Sequence, residues 1–397
     1  MPVIADPFDI LIVGGGVVGC STAYFLSARE EGRDLRIAVV EEDSTYARAS
    51  TTLSVGGIRQ QFSTPENIRI AQASADFLRQ APELLAVDGE RPELGFVQAG
   101  YLFLASPDGA PILRENHRLQ VELGARVCLL EAQELGERFP WLRTDDLAAG
   151  TLGLEGEGWL DPYSLLRAFR AKARDQGVTF LDDRVVGLGV ETGRVSFALL
   201  EKLGPAPVGA VVNAAGPRAR DVARMAGILD LPVESRKRFV YRFRCQEPVE
   251  GVPLTVDPSG VYFRPEGPEF LCGVSPPEAE DAETTDLEMD YGLFHDTIWP
   301  VLAHRVPAFQ AIRLGFSWAG HYAVNTVDHN AILGPHPDVP NLYLANGFSG
   351  HGLQQSPAVG RALSELLLDG KYRTLDLSRM GFQRLAAGEL LLERNVV

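Results

Sequence analysis

The feature that most constrains this chain is a strand running straight into a glycine-rich turn. Phe8-Asp9-Ile10-Leu11-Ile12-Val13 is followed at once by Gly14-Gly15-Gly16-Val17-Val18-Gly19. In G-x-G-x-x-G the first glycine makes the tight turn, the second lets the backbone approach a pyrophosphate, and the third lets a helix pack on the strand. The helix that starts at Val17 and Val18 points its free N–H groups and the positive end of its dipole at the phosphates. A second strand, Arg36-Ile37-Ala38-Val39-Val40, ends at Glu41 and Glu42. Glu41 lies 22 residues beyond Gly19, close to the ~20 expected for the acid that binds the ribose hydroxyls. Strand, turn, helix, strand and terminal acid in this order predict a Rossmann-like dinucleotide-binding unit.

A chain of 397 residues exceeds one ordinary core, so two interleaved domains are expected. A net charge of −16 argues against nucleic acid and anionic membrane surfaces, which require basic patches. Cys20, Cys128, Cys245 and Cys272 share no C-x-x-C spacing, which speaks against a metal site or a disulfide framework. Each reads as a small buried apolar residue. No targeting pattern precedes the first strand, and no segment reaches the ~20 apolar residues that span a bilayer. A cytoplasmic location is expected.

Further along, residues 44–59 are small, polar and glycine-containing and read as a loop. Thr64-Pro65-Glu66 predicts a helix start, with a cap, a proline at the first position and an acid in the first turn, running to about Gln80. Phe96 to Ala105 reads as a strand. Asp161-Pro162 predicts a second helix by the same signal, ending near Gly177. Short strands at 178–181 and 185–186 follow. Ala210-Val211-Val212-Asn213 is an apolar strand entering Ala214-Ala215-Gly216-Pro217. Between about 230 and 322 the chain turns β-rich. Val261–Arg264 and Glu269–Cys272 flank a Pro265-Glu266-Gly267-Pro268 turn and predict a hairpin, and a helix is expected over Leu287–Arg305. The end of the chain resumes the pattern of its beginning. A strand at Asn341–Ala345 enters the tight loop Asn346-Gly347-Phe348-Ser349-Gly350-His351-Gly352, and a helix follows from Leu353 to Leu368. The expected fold class is α/β: a Rossmann-like nucleotide domain from 1–85, 150–228 and 324–397, with an antiparallel β-sheet substrate domain inserted as 86–149 and 229–323.

Five segments together carry a family likeness. They are the N-terminal turn with Glu41, the Ala49-Ser50-Thr51 to Ser54-Val55-Gly56-Gly57-Ile58 loop, Gly158 through Asp161-Pro162, Asn213 to Gly216, and Gly347 to Gly352. The chain resembles the flavoprotein superfamily of D-amino-acid oxidase, glycine oxidase and sarcosine oxidase. It is most similar there to FAD-dependent oxidoreductase-domain proteins related to dimethylglycine dehydrogenase and sarcosine oxidase. The resemblance implies non-covalent FAD. Its contacts are expected at Gly14, Gly16, Val17, Val18, Gly19, Glu41, Glu42, Ser50, Thr51, Ser54, Gly56, Gly57, Ile58, Val185, Ala214, Ala215, Gly216, Gly347, Gly350, His351, Gly352 and Leu353. FAD is long, and the second glycine loop at 350–352 supplies close backbone approach at its flavin end. There the last helix brings its positive end to the flavin N1–C2=O edge.

The resemblance further implies oxidation of a C–N bond beside a carboxylate, with hydride passing to the flavin. The expected substrate is a small carboxylate-bearing amine or amino acid. The alternatives are a 2-hydroxy acid, or a flavin-holding assembly or scaffold protein. Arg59 falls where sarcosine oxidases place a substrate arginine, and a guanidinium fork suits a carboxylate. Arg264 and Tyr262 share one face of the expected substrate hairpin. His351 lies in the flavin loop. His321 takes the place of the cysteine bonded to flavin in monomeric sarcosine oxidases. Gln354 and Leu271 stand where sarcosine oxidases carry lysines, the second of them linked to oxygen use. The expected electron acceptor is therefore a quinone or an electron-transfer protein.

Overall fold

The computed structural model describes residues 6–394 and contains two large sheets. The first has a parallel centre in which Gly204–Asn213 and Ile37–Glu41 flank Phe8–Val13. Leu342–Asn346 and Thr179–Asp182 extend it in parallel on either side. Ile332–Pro335 closes one edge antiparallel, and Val185–Glu191 with Arg194–Leu200 forms an antiparallel flap on Gly204–Asn213. A parallel sheet must be covered on both faces, and its strands accordingly read as continuous apolar runs. The fold class matches the expectation, and the strands of this sheet come from the beginning, middle and end of the chain.

The second sheet has nine strands. Its spine is the 13-residue strand Val233–Cys245. The first half of that strand pairs with Trp318–Asn325, and the second half with Glu269–Gly273 and Ile312–Leu314. Tyr262–Glu266 and Glu269–Gly273 form the expected hairpin. The sheet then continues through Leu254–Val256, Tyr101–Ala105, Ala149–Gly153 and Val127–Glu131. Ala149–Gly153 carries the second sheet across the expected boundary at residue 150. A two-stranded ladder, Gly57–Ile58 against Gly158–Trp159, stands apart from both sheets.

Local chemistry accounts for most element ends. The Asp161 side chain accepts the Ser164 amide at 2.6 Å and opens the helix Pro162–Asp175. Thr64 precedes the helix Pro65–Leu84 as expected, but its side chain does not cap it. The Glu393 carboxylate reaches back instead and accepts the Ser63 amide at 2.6 Å and the Asn67 side chain at 2.7 Å. The helix expected from Leu287 begins only at Tyr291, where Asp290 accepts the Gly292 amide, and it includes a π turn at Phe294–Ile298. The preceding residues are held off the helix axis by side chains, with Asp286 paired to Lys237 at 2.6 Å. Two helices not anticipated from the sequence, Ala110–Glu122 and Ala132–Arg138, pack beside the second sheet. All four cysteines are free; Cys20 and Cys272 are buried as expected, whereas Cys128 and Cys245 are only half-buried. No helix is long and apolar enough to cross a membrane among the described residues.

The first helix, Val17–Ala28, packs on the last, Gly352–Asp369. Pro357 lies inside the last helix, so the Leu353 carbonyl loses its usual amide partner. The Ser356 hydroxyl donates to that carbonyl at 2.9 Å, and Ser21 donates to the Ser356 carbonyl at 2.7 Å. Close approach at this crossing depends on Gly360, where a β-carbon would stand 2.3 Å from the Ser21 hydroxyl and 2.8 Å from its carbonyl carbon. Gly360→Ala is expected to force the two helices apart and lower stability by about 1–3 kcal/mol, despite alanine's better helix propensity. Thermal unfolding of the variant beside wild type measures this, and an unchanged or raised midpoint would contradict the packing described.

Candidate active site

The glycine turn is built as its sequence requires. Gly14 has φ +101°, and a β-carbon there would stand 2.5 Å from the Ala214 carbonyl oxygen. The Asn213–Gly216 segment is thereby pressed against the turn, held by Asn346 donating to the Asn213 carbonyl at 2.9 Å. Gly19 faces the Gly14 carbonyl, again with no room for a side chain. Glu41 Oε2 accepts the Gly15 amide at 2.8 Å and Oε1 accepts the Asp43 amide at 2.9 Å. Burial raises the Glu41 pKa against these two hydrogen bonds. A carboxylate offers about four acceptor positions, so capacity remains for sugar hydroxyls. Thr51 Oγ1 accepts the Val17 amide at 3.1 Å, bringing the 50–58 loop onto the helix start. Val18 lies in the first turn of that helix. The hydroxyls of Ser50 and Tyr46 are buried here with no partner, and a β-carbon on Gly15 would stand 3.1 Å from the Tyr46 hydroxyl. Buried polar atoms are nearly always satisfied, so two orphaned hydroxyls beside a phosphate-type turn fit a ligand rich in oxygen atoms. Glu42 is turned outward and pairs with Arg218 at 3.2 Å. Val185 is buried in the apolar layer under the first sheet with Leu11 and Val40.

From Thr51 onward one segment builds the other end of the site. Ser54 Oγ accepts the Gly56 amide. Gly56 has φ +79°, and a β-carbon there would lie 2.1 Å from the Leu160 carbonyl oxygen. Gly57 and Ile58 pair with Trp159 and Gly158. Arg59 follows. Its amide donates to Gln354 Oε1 at 2.9 Å, which ties it to the last helix. Its guanidinium lies over Phe62, Phe103 and Tyr101, with centroid distances of 4.6, 5.1 and 5.6 Å. One Nη2–H donates to His351 Nε2 at 3.1 Å. Arg59 has no carboxylate partner among the described residues, and its Nε is buried without an acceptor.

The surrounding groups keep Arg59 in this state. Burial and the neighbouring guanidinium hold His351 neutral, its pKa pushed down to about 3. Glu157 is fully enclosed and pushed up to about 7 by burial. Its two oxygens accept the Gln60 amide and Gln61 Nε2, each at 2.8 Å. Tyr262 is half-buried near Tyr101, Tyr322 and Arg264. Gly347 packs on Asn325, Gly350 on the Tyr322 ring, and Gly352 on Phe348. Leu353 is buried in the core below them.

Two expected site residues are engaged elsewhere. Arg264 is buried, but its Nε donates to the Val55 carbonyl at 2.9 Å and its Nη1 to the Pro265 carbonyl at 2.7 Å, with Glu266 as its ion-pair partner. It ties the second sheet to the loop. His321 Nε2 donates to the Asp286 carbonyl at 2.8 Å, and burial lowers its pKa. Tyr101, Phe103, Phe62 and Glu157 were not singled out from sequence. The alternation of Tyr101 and Phe103 at a strand start was a readable signal, whereas nothing local marks Glu157.

Comparison with known proteins identifies the family of this fold. Residues 9–366 match the family model DAO, "FAD dependent oxidoreductase". The FAD-dependent oxidoreductase domain-containing protein 1 of Xenopus laevis is 46% identical over 98% of this chain and 85% of its own length. Mitochondrial sarcosine dehydrogenase of Mus musculus is 25% identical over 91% of this chain and 40% of its own length. The crystal structure of L-proline dehydrogenase from P. horikoshii superposes with a TM-score of 0.86 at 28% identity, covering 98% of this chain and 100% of that one. The fold is also that of glycine oxidase from Geobacillus kaustophilus, with a TM-score of 0.80 at 24% identity over 95% and 98% of the two chains. The glycine turn, Glu41 and the orphaned hydroxyls fit FAD, which is the cofactor of this fold. The chain belongs to the DAO family of FAD-dependent oxidoreductases.

Proposed function

We propose that the protein is an FAD-dependent dehydrogenase acting on the C–N bond of a small amino acid or secondary amine that carries a carboxylate. The observation that carries this reading is the caged guanidinium of Arg59, which forms no ion pair among the described residues. A half-buried cation with a free Nε and no carboxylate of its own is costly unless an anion completes it, and a planar fork matches a carboxylate. Relatives named for sarcosine and for L-proline oxidation support a carboxylate next to an amine.

Bound FAD supplies the two-electron acceptor for hydride from the α-carbon. Glu41, the glycine turn, Ser50 and Thr51 would hold its nucleotide end, and the Gly347–Gly352 loop with the start of the last helix its flavin end. The chain's own work is then positioning. Arg59 fixes the substrate carboxylate, the Tyr101 and Phe103 rings fix Arg59, and Tyr262 and Tyr322 border the same space. Neutral His351 accepts one N–H of Arg59, leaving the remaining donors of the fork for substrate. Leu271 stands opposite Arg264 in register and is buried, on the side of the hairpin that Arg264 uses to reach the loop.

Anaerobic mixing with sarcosine, dimethylglycine, glycine and L-proline tests the substrate class. At least one should bleach the ~450 nm absorption that belongs to the oxidised cofactor. Bleaching by 2-hydroxy acids alone would overturn the amine reading. Glu41→Gln removes a charged acceptor of the ribose and should weaken FAD binding by roughly 1–3 kcal/mol, measured by titrating apoprotein with FAD. Arg59→Ala should lower kcat/KM for the bleaching substrate by ~2–4 kcal/mol, mostly through KM, while FAD affinity stays near wild type; an unchanged kcat/KM would remove Arg59 from the site.

Reduction of oxygen builds negative charge that a nearby cation stabilises, and Leu271 offers none. Air should therefore reoxidise the reduced protein more slowly than a dye does, and Leu271→Lys should raise the oxygen rate. Stopped-flow reoxidation measures both. Air reoxidation of wild type as fast as turnover would make the protein an oxidase.

A further inference from the structure

Phe316 is 68% exposed, although a large aromatic side chain gains by burial. Its ring lies nearly flat on that of Trp318, with centroids 6.2 Å apart and planes 22° from parallel. The Trp318 indole N–H donates at 2.9 Å to the carbonyl of Leu53. Leu53 belongs to the loop whose Thr51 meets the glycine-turn helix and whose Gly56 and Gly57 lead to Arg59. The loop is seated tightly on this strand, because a β-carbon at Gly320 would stand 3.0 Å from that of Leu53. An aromatic stack thus runs from solvent to the cofactor loop.

One arginine lies beside the exposed ring, and two more follow it along the adjoining strands. Arg242 lies 6.0 Å from the Phe316 centroid. Arg242 and Arg244 share one carboxylate, Glu269, at 2.9 and 2.6 Å. Arg313, in register with Arg244 on the edge strand Ile312–Leu314, has no ion pair among the described residues. Three guanidinium groups against one carboxylate make a positive face on a chain whose net charge is −16. Exposed aromatics rimmed by arginine are the composition of protein interfaces. A quinone would call for an enclosed apolar slot, whereas this face is open.

Resting on the dehydrogenase reading above, we propose that this face docks a small acidic one-electron carrier protein, which takes electrons from the reduced flavin, and that the Phe316–Trp318 stack seated on the cofactor loop marks the place where it docks. The balance is simple. Oxidising one C–N unit to the imine removes two electrons and two protons; each of two carrier molecules takes one electron at its own redox centre, and the protons pass to solvent. No bond forms between the proteins. The small patch suits the weak, transient contacts of electron-transfer partners, and the charge steers encounter.

The test uses two carriers of opposite charge, an acidic blue-copper protein and a basic c-type cytochrome, both strong enough oxidants that driving force is not limiting. The flavin is reduced photochemically, so an incorrect substrate class does not enter. The acidic carrier should be reduced faster, and its rate should fall as salt screens the face. Phe316→Glu and Arg313→Glu should each slow it about tenfold or more, the scale of a like-charge contact, and leave reduction of a neutral quinone unchanged. Binding of the oxidised acidic carrier, measured by calorimetry without any flavin reduction, should weaken in Phe316→Glu and persist in Trp318→Phe. The binding readout stands even if the amine reading fails. Equal rates for the two carriers without salt dependence, or a Phe316→Glu variant that binds and transfers like wild type, would overturn the proposal. A neutral quinone that outpaces both carriers, with no carrier binding, would overturn it in favour of a quinone acceptor.

Discussion

One segment, Thr51 to Gln61, is bonded to the first helix, to the second sheet and to the last helix, and it fixes where Arg59 stands. Thr51 takes the Val17 amide of the nucleotide helix. The Leu53 carbonyl receives Trp318, and the Val55 carbonyl receives Arg264, both from the second sheet. Gly56 accepts the Leu160 amide, and Gly57 and Ile58 complete the small ladder. Arg59 and Gln60 are fixed by Gln354 and Glu157, and Gln61 donates to the Tyr101 carbonyl at 2.8 Å. A loop that satisfies its backbone in so many directions has one available shape. That shape sets the start of the nucleotide helix and the Arg59 guanidinium in one fixed relation.

This arrangement separates what could be read from the sequence from what could not. The nucleotide unit was legible because its constraints are local: glycines at fixed offsets, an apolar strand, an acid at the right distance. Asp161 as a helix cap was legible for the same reason. Arg59 was singled out through the family resemblance, from its place just after the Gly56-Gly57 pair and from the match of a guanidinium fork to a carboxylate. Arg264 and Tyr262 were correctly placed on one face of a hairpin, but strand alternation does not say which carbonyl an arginine will meet. Its partner, Val55, lies 209 residues away. His321 likewise meets a carbonyl at Asp286, in an acidic stretch whose docking on the basic strand Val233–Cys245 is a matter of tertiary charge pairing. The helix expected from Leu287 was shortened by the same pairing.

Glu157 marks the limit of sequence reasoning most clearly. Flanked by Gly156 and Gly158, it reads as a polar residue in a turn. In the fold its carboxyl group is enclosed so closely that a β-carbon at Gly153 would overlap it, at 2.0 Å. Burial favours the protonated acid, while the Gln60 and Gln61 donors favour the carboxylate, and the balance leaves it near neutrality. Because the folded group holds its proton at higher pH than an unfolded glutamate does, its contribution is to stabilise the fold at acid pH. That contribution declines as pH rises through about 7.

Charge economy in the site follows from where those two oxygens point. An acid that reached the Arg59 fork would complete it internally and leave a substrate carboxylate nothing to gain. Both Glu157 oxygens are instead held by Gln60 and Gln61 on the segment that carries Arg59, so the acid shapes the backbone without closing the fork. His351 would repel the guanidinium if protonated, yet burial and the guanidinium itself keep it neutral, so it serves as an acceptor. The aromatic cage contributes cation–π attraction while taking up none of the N–H donors. Among the described residues Arg59 thus keeps its Nε and the rest of its fork without a carboxylate partner, beside the last helix that Gln354 ties it to, which is the arrangement the proposed carboxylate substrate would complete.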